Sequence, residues 1–213
     1  MDVRKLWQDR MQARIPTYRV DHEAIRAHAL SNWHPVRYST FYRDCGPLRR
    51  WLESKPDVNE YLAEGGDKIT PLHLAADCEE AAELLLQAGA DPNRPYLPLP
   101  PPASGCHGDN DSYLCSMAWA DDTPLHHAAR VGNEAVVTRL LEGGARLLPN
   151  REGLSPLDLS GSRSHWGTLN LLLKALRPCD YPMLRAAYER ADLRGPREAA
   201  HRLQQEIESA SEK

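Results

Sequence analysis

Residues 123–148, TPLHHAARVGNEAVVTRLLEGGARLL, constrain the fold more than any other stretch. They read as two short helices. Thr123 can cap the first with its hydroxyl, and Pro124 follows at the first helical position, where a missing N–H costs nothing. Leu125, Ala128 and Ala129 make one apolar stripe, small enough for another helix to approach closely. Gly132-Asn133 breaks that helix, because glycine takes positive φ without penalty. Val136, Val137, Leu140 and Leu141 form the stripe of a second helix, which Gly143-Gly144 ends. Two helices this short cannot bury both stripes against each other, so the unit must stack on copies of itself.

Copies are present. Thr70-Pro71-Leu72-His73-Leu74-Ala75-Ala76 opens one, closed by AELLLQAGADPN at 82–93. Ser155-Pro156-Leu157-Asp158-Leu159 opens another, with Leu169, Leu172 and Leu173 on its second helix. His34-Pro35-Val36 opens a degenerate first copy, closed by Leu48 to Leu52. The opening prolines are 36, 53 and 32 residues apart. The long spacing is an ordinary repeat of about 33 residues carrying roughly 20 more.

The motif T-P-L-H-x-A stands intact at Thr70–Ala75 and Thr123–Ala128, and L-L-x-x-G-A at Leu85–Ala90 and Leu140–Ala145. In these residues the chain resembles the ankyrin-repeat family over about residues 33 to 176. The resemblance implies an all-α solenoid of about four helix-turn-helix repeats, at 33–66, 67–93, 123–149 and 150–176. Helical caps are expected at 1–32 and 177–213, with a proline-rich insertion at 94–122. It also implies that His73 bonds back to Thr70 and His126 to Thr123. Repeat one lacks both residues, and Ser155 and Asp158 replace them in repeat four, as suits terminal repeats. Repeat two is two residues short after Ala76, so its helix–helix turn must differ, with Cys78 in it.

At the ends, residues 2–14 read as a helix with Val3, Leu6, Trp7 and Met11 on one side. Ala24, Ile25, His28 and Ala29 are expected inward on the next helix. Both would cover repeat one; a partner-binding helix anchored by Trp7 is the alternative. Tyr38, Phe41 and Tyr42 replace small or polar residues and suggest contact with those N-terminal helices. Leu184, Ala187, Tyr188 and Ala191 mark one C-terminal helix, and Ala199, Ala200, Leu203 and Ile207 the last.

No apolar run approaches the roughly 18 residues that span a membrane, and the first ten residues hold no apolar signal core. Five scattered cysteines, Cys45, Cys78, Cys106, Cys115 and Cys179, favour a reducing compartment. A cytoplasmic or nuclear location is expected. Residues 61–122 carry 2 Lys/Arg against 11 Asp/Glu, between segments of net +3 and +2. That acidic middle is either a solvated face or a dock for a basic partner. No coherent basic surface for nucleic acid is evident.

No phosphate loop, dinucleotide fingerprint, nucleophile elbow or zinc-protease motif occurs, so no catalytic residue, cofactor or metal is assigned. Cys106, His107 and Cys115 lack the second close pair of a zinc site. Asp109-Asn110-Asp111 lacks the glycine and glutamate of a calcium loop. The resemblance implies instead a protein-interaction module, scaffold or adaptor, gripping a partner on a concave face and hairpin tips. Carried over, the contacts are Ile69, Leu74 and Asp77 in repeat two. In repeat three they are Trp119, Asp122, His127 and Arg130, and in repeat four Arg151, Glu152, Leu154 and Arg163. Alanine at Arg130 and Arg151 is expected to weaken capture and leave the melting temperature unchanged. The alternative function is a substrate-recruiting subunit of a ubiquitin ligase, which Leu173 to Cys179 suggests only in part. An enzyme or metal protein using Cys and His is the alternative of another class. Leu85, Asp91 and Asn93 also stand at the spacing of asparagine-hydroxylated repeats, so Asn93 is a candidate for modification.

Overall fold

The structure is a computed structural model that describes residues 22–64, 67–97, 120–176, 181–194 and 197–211. The chain divides into two units, 1–34 and 35–213.

In the first unit the described element is α1, His22–Asn32. Ala29 is buried, but Ile25 and His28 are exposed, against the expected inward stripe. The reason is angular. The two large apolar residues, Ile25 and Leu30, are five positions apart, about 140° around a helix, so no single face gathers them, and both are about half exposed. The expected helix at 2–14 lies outside the described residues.

The second unit is built from helical hairpins. Repeat one contributes α2, Pro35–Tyr42, and α3, Gly46–Glu53; repeat two contributes α4, Pro71–Leu74, and α5, Glu79–Gln87. Repeat three has α6, Pro124–Val131, and α7, Glu134–Glu142. Repeat four has α8, Pro156–Ser162, and α9, Trp166–Lys174, and α10, Tyr181–Arg194, and α11, Arg197–Ser211, follow. The first helices α2, α4, α6 and α8 lie side by side in chain order, with α10 next to α8; α5, α7 and α9 form a second row. One continuous core runs through the unit, from Val36 and Leu48 through Leu72, Leu85, Leu125, Val137 and Leu140 to Leu157, Leu169, Leu172, Leu184 and Leu203. The apolar stripes read for repeats two to four are in it, with Leu141 half-buried against its edge.

Local chemistry explains the turns. Asn133 caps α7 by accepting from the Val136 N–H at 3.2 Å. Gly132 ends α6 at φ +80°, and a Cβ there would lie 2.5 Å from the His165 ring of the next repeat. Glycine is therefore required both by its dihedral and by the close approach. The shortened repeat two has no such glycine. Its first helix tightens into a 3-10 turn, Ala75–Asp77, which passes directly to an extended Cys78.

Strand among the described residues is confined to the loop side. β1, Leu62–Glu64, pairs antiparallel with β2, Asp67–Ile69, in the register Leu62 to Ile69. Lys68 exchanges both backbone hydrogen bonds with Leu97, at 2.9 and 3.0 Å. Tyr96 N–H donates to the Asp122 carbonyl at 2.7 Å, and Asp121 N–H to the Tyr96 carbonyl at 3.0 Å. The two ends of the long insertion are thus held side by side, while the expectations placed on its interior, Trp119, Cys106, His107 and Cys115 included, fall outside the described residues.

Candidate protein-binding face

The first helices are positioned by a chain of side-chain bonds that passes from repeat to repeat. His73 Nδ1 accepts from the Thr70 N–H at 3.3 Å and lies 2.8 Å from its hydroxyl, while Nε2 donates to the Asp122 carbonyl at 3.0 Å. A carbonyl can only accept, so Nε2 carries the proton and Nδ1 is the acceptor. His126 repeats this pattern one unit on, with Thr123 at 3.0 and 2.9 Å and the Leu154 carbonyl at 3.1 Å. Burial lowers the pKa of both rings, that of His73 to about 4. Both are held neutral at physiological pH. The expected bonds to Thr70 and Thr123 are present.

Repeat four substitutes a charged version. Asp158 Oδ2 accepts from the Ser155 N–H and hydroxyl at 2.7 and 2.6 Å. Arg190 of α10 then donates to both Asp158 oxygens, at 2.7 and 2.8 Å, a fork-to-fork geometry. Where a histidine would reach the following repeat, an aspartate takes an arginine from the helix that covers the stack.

Against this frame the sequence candidates separate. Arg151, Glu152 and Arg163 are exposed, at the loop before α8 and at its end. Arg151 meets Asp121 at 3.2 Å in an ion pair open to solvent. His127 is half-buried on α6, its ring 5.3 Å from His73 in a T-shape and 6.3 Å from Tyr96. Burial, then the neighbouring His73, lowers its pKa well below 6.5. Leu74, Asp77 and Leu154 are half-buried and Ile69 is buried. The Asp77 carbonyl accepts from Arg43 Nη1 at 2.6 Å.

Two candidates are corrected. Asp122 is fully buried: Arg130 Nη2 meets Oδ2 at 2.5 Å and Asn150 Nδ2 donates to Oδ1 at 2.8 Å. The Arg130 side chain is only 14 % exposed. Asp122 and Arg130 therefore form an internal ion pair, because a carboxylate this deep needs a cation and a hydrogen bond to remain there. Two apolar residues of first helices lie exposed, Val131 on α6 at 52 % and Phe41 on α2, for which contact with the N-terminal helices was expected, at 68 %. Val131 directly follows Arg130, and its place at the helix end before Gly132 was the available signal. The Phe41 ring lies 5.0 Å from that of Tyr42, which in turn lies 4.8 Å from that of Tyr38.

Five of the eleven acidic residues of 61–122 meet arginines of this same chain. Glu80 pairs with Arg49, Glu79 and Glu83 with Arg139, Asp121 with Arg151 and Asp122 with Arg130. Each arginine comes from one of the flanking segments of net positive charge. Asn93 holds the next loop with both ends of its amide: Nδ2 donates to the Gly144 carbonyl at 3.0 Å, and Oδ1 accepts from the Arg146 N–H at 2.7 Å. No helix of the described residues is long and apolar enough to cross a membrane.

Comparison with known proteins agrees with the repeat geometry. The ankyrin-repeat family model matches residues 67–95 and 121–151. Human Rabankyrin-5 is 35 % identical over 112 residues, which cover 51 % of this chain and 9 % of that protein. The chain thus spans less than a tenth of the length of that relative.

Proposed function

The chain is an ankyrin-repeat protein, and from that premise we propose that it acts as a scaffold or adaptor, holding a partner protein on the exposed sides of its first helices and the adjoining loops. Ankyrin repeats are protein–protein interaction modules and are generally non-enzymatic. The observation that carries the finer reading is the exposure of Val131 and Arg163 at the ends of the first helices of repeats three and four, and of Arg151 and Glu152 in the loop before α8. These residues are exposed on repeats three and four, and none is needed by the core or by the capping bonds. An exposed valine on the same two repeats as exposed arginines suits a contact that is apolar at its centre and polar at its rim. Trp119 remains part of the proposed contact, and His127 and Asp77 would lie at its floor. Arg49, Arg130, Arg139 and Arg151 already engage the acidic segment, so shape and apolar contact, rather than attraction of a basic partner, support the reading.

Affinity purification coupled to crosslinking mass spectrometry tests it. Partner crosslinks should fall on the first helices of repeats three and four and the turns at their ends, and a Val131→Asp, Arg163→Ala double variant should lose the partner while melting with the wild type. Crosslinks confined to the α5–α7–α9 row, with the partner retained by the variant, would remove the proposal. No observation favours the ubiquitin-ligase alternative, since Leu184, Ala187 and Leu203 of the last two helices are buried in the repeat core. Hydroxylation of Asn93 would require its turn to release Gly144 and Arg146, and peptide mass spectrometry of the folded protein incubated with an asparaginyl hydroxylase tests it.

A further inference from the structure

Cys45 and Cys78 occupy the same place in consecutive repeats. Each is the residue that precedes the second helix of its hairpin, Cys45 before α3 and Cys78 before α5. In repeat three that position is Asn133, whose oxygen caps the helix. Neither cysteine makes such a capping bond, as expected of sulfur, a weak acceptor. Both are 5 % exposed and belong to the one core that joins the repeats. The turns that carry them are laced together by Arg43 donating to the Asp77 carbonyl at 2.6 Å and by Arg49 with Glu80 at 2.8 Å. Across this seam the two thiols are near enough for each to act on the other, and Glu80 stands beside Cys45.

We propose that Cys45 and Cys78 form a reversible disulfide that staples repeat one to repeat two, with glutathione disulfide as the oxidant. One cysteine thiolate attacks a sulfur of glutathione disulfide, breaking its S–S bond and releasing one glutathione. The second thiolate attacks the cysteine sulfur of the mixed disulfide and releases the other. Two electrons pass from the protein sulfurs to glutathione, and the two thiol protons leave on the released molecules. The resting pair reacts slowly. Burial, then the neighbouring Cys78 and Glu80, push the Cys45 thiol up to about 12, so thiolate is scarce at neutral pH. Glutathione reaches the sulfurs only when the seam opens, and the turns must then close to a bond of about 2.05 Å. Such a pair responds to a sustained oxidising shift rather than to a brief pulse.

The test equilibrates the full chain in glutathione buffers of graded ratio, native and in urea, followed by acid quench, alkylation and peptide mapping. A Cys45–Cys78 linked peptide should half-form in the native protein under conditions at least about tenfold more reducing than in urea, because folding raises the effective concentration of one thiol at the other. Oxidation should also raise the melting temperature, on the order of 10 °C for a closed loop of this length. Equal midpoints in the two states, or glutathione adducts with no linked peptide, would overturn the proposal. Cys78→Asn copies Asn133 and is expected to keep the helical spectrum while losing the oxidation-dependent rise in melting temperature. A rise that persists in Cys78→Asn would place the staple elsewhere and also overturn it; Cys45→Ser gives the same reading should the asparagine variant fail to fold.

Discussion

Arg130→Ala is the substitution for which sequence and structure disagree most sharply. From sequence it weakens partner capture and leaves stability alone. In the structure it removes the cation from Asp122, whose carboxylate is fully buried. With charge centres about 4 Å apart and an effective dielectric near 20, the lost attraction is about 4 kcal/mol. Truncating one member of a buried pair typically costs about 3–5 kcal/mol, because the remaining charge stays in the interior. Asn150 still donates to Oδ1, which places the cost near the lower end, about 3 kcal/mol. For a domain of this size that lowers the melting temperature by roughly 6–12 °C. The assay is thermal unfolding followed by circular dichroism at 222 nm, with Arg151→Ala as the control. Arg151 and Asp121 are both solvent-accessible, and exposed pairs contribute about 0–1 kcal/mol. Asp122→Asn combined with Arg130→Ala should recover part of the loss, since no bare charge is left inside. The reasoning is refuted if Arg130→Ala melts within about 2 °C of the wild type, a shift smaller than 1 kcal/mol explains in a domain of this size, or if the double variant is no more stable than the single one.

Leu140 is fully buried in the shared core, so Leu140→Ala should cost about 2–5 kcal/mol in urea unfolding, and an unchanged midpoint would contradict its inward position. Acid should destabilise the repeats. His73, His126 and His127 are held neutral with lowered pKa values, that of His73 about 4 against 6.5 unfolded. The unfolded chain therefore binds more protons between these values. Stability is complete above about pH 6.5 and declines as pH falls through 6.5 towards about 4. Urea midpoints at pH 7.5 and 5 read this, and equal midpoints would count against neutral buried rings. Arg190→Ala should lower the melting temperature and hasten proteolysis within residues 177–213 before the repeats are cut. Simultaneous digestion of both regions would deny Arg190 its role in attaching α10.

What was legible in the sequence was whatever recurs. The stripes of repeats two to four, the histidine-to-threonine bonds and the altered turn of repeat two all follow from comparing one unit with the next. What was not legible lies between units. The acidic run at 61–122 looked like a surface property, but Glu79, Glu80 and Glu83 find Arg139 and Arg49 only once the second helices stand side by side. Asp122 looked like a loop residue awaiting a partner, because nothing in the chain announces that Arg130 and Asn150 converge on it from eight and twenty-eight residues away. In α1 the alanine-rich pattern suggested a stripe, yet its two large apolar side chains point apart.

The end of the stack shows how far a departure from the repeat can be read. Asp158 in place of histidine was visible in the sequence and suited a terminal repeat. A histidine there would have offered Nε2 to a backbone carbonyl of a following unit, as His73 and His126 do. A carboxylate has no proton to offer and cannot make that bond. It can accept from Ser155 on one side and from a cation on the other, and Arg190 fills the second role with two donors. The same substitution therefore rejects another repeat of the same kind and selects a helix that carries arginine at the right height. The departure at Asp158 gives the end of the series its chemistry, but the arginine that answers it is one of many in the C-terminal segment, and only packing against α8 singles out Arg190.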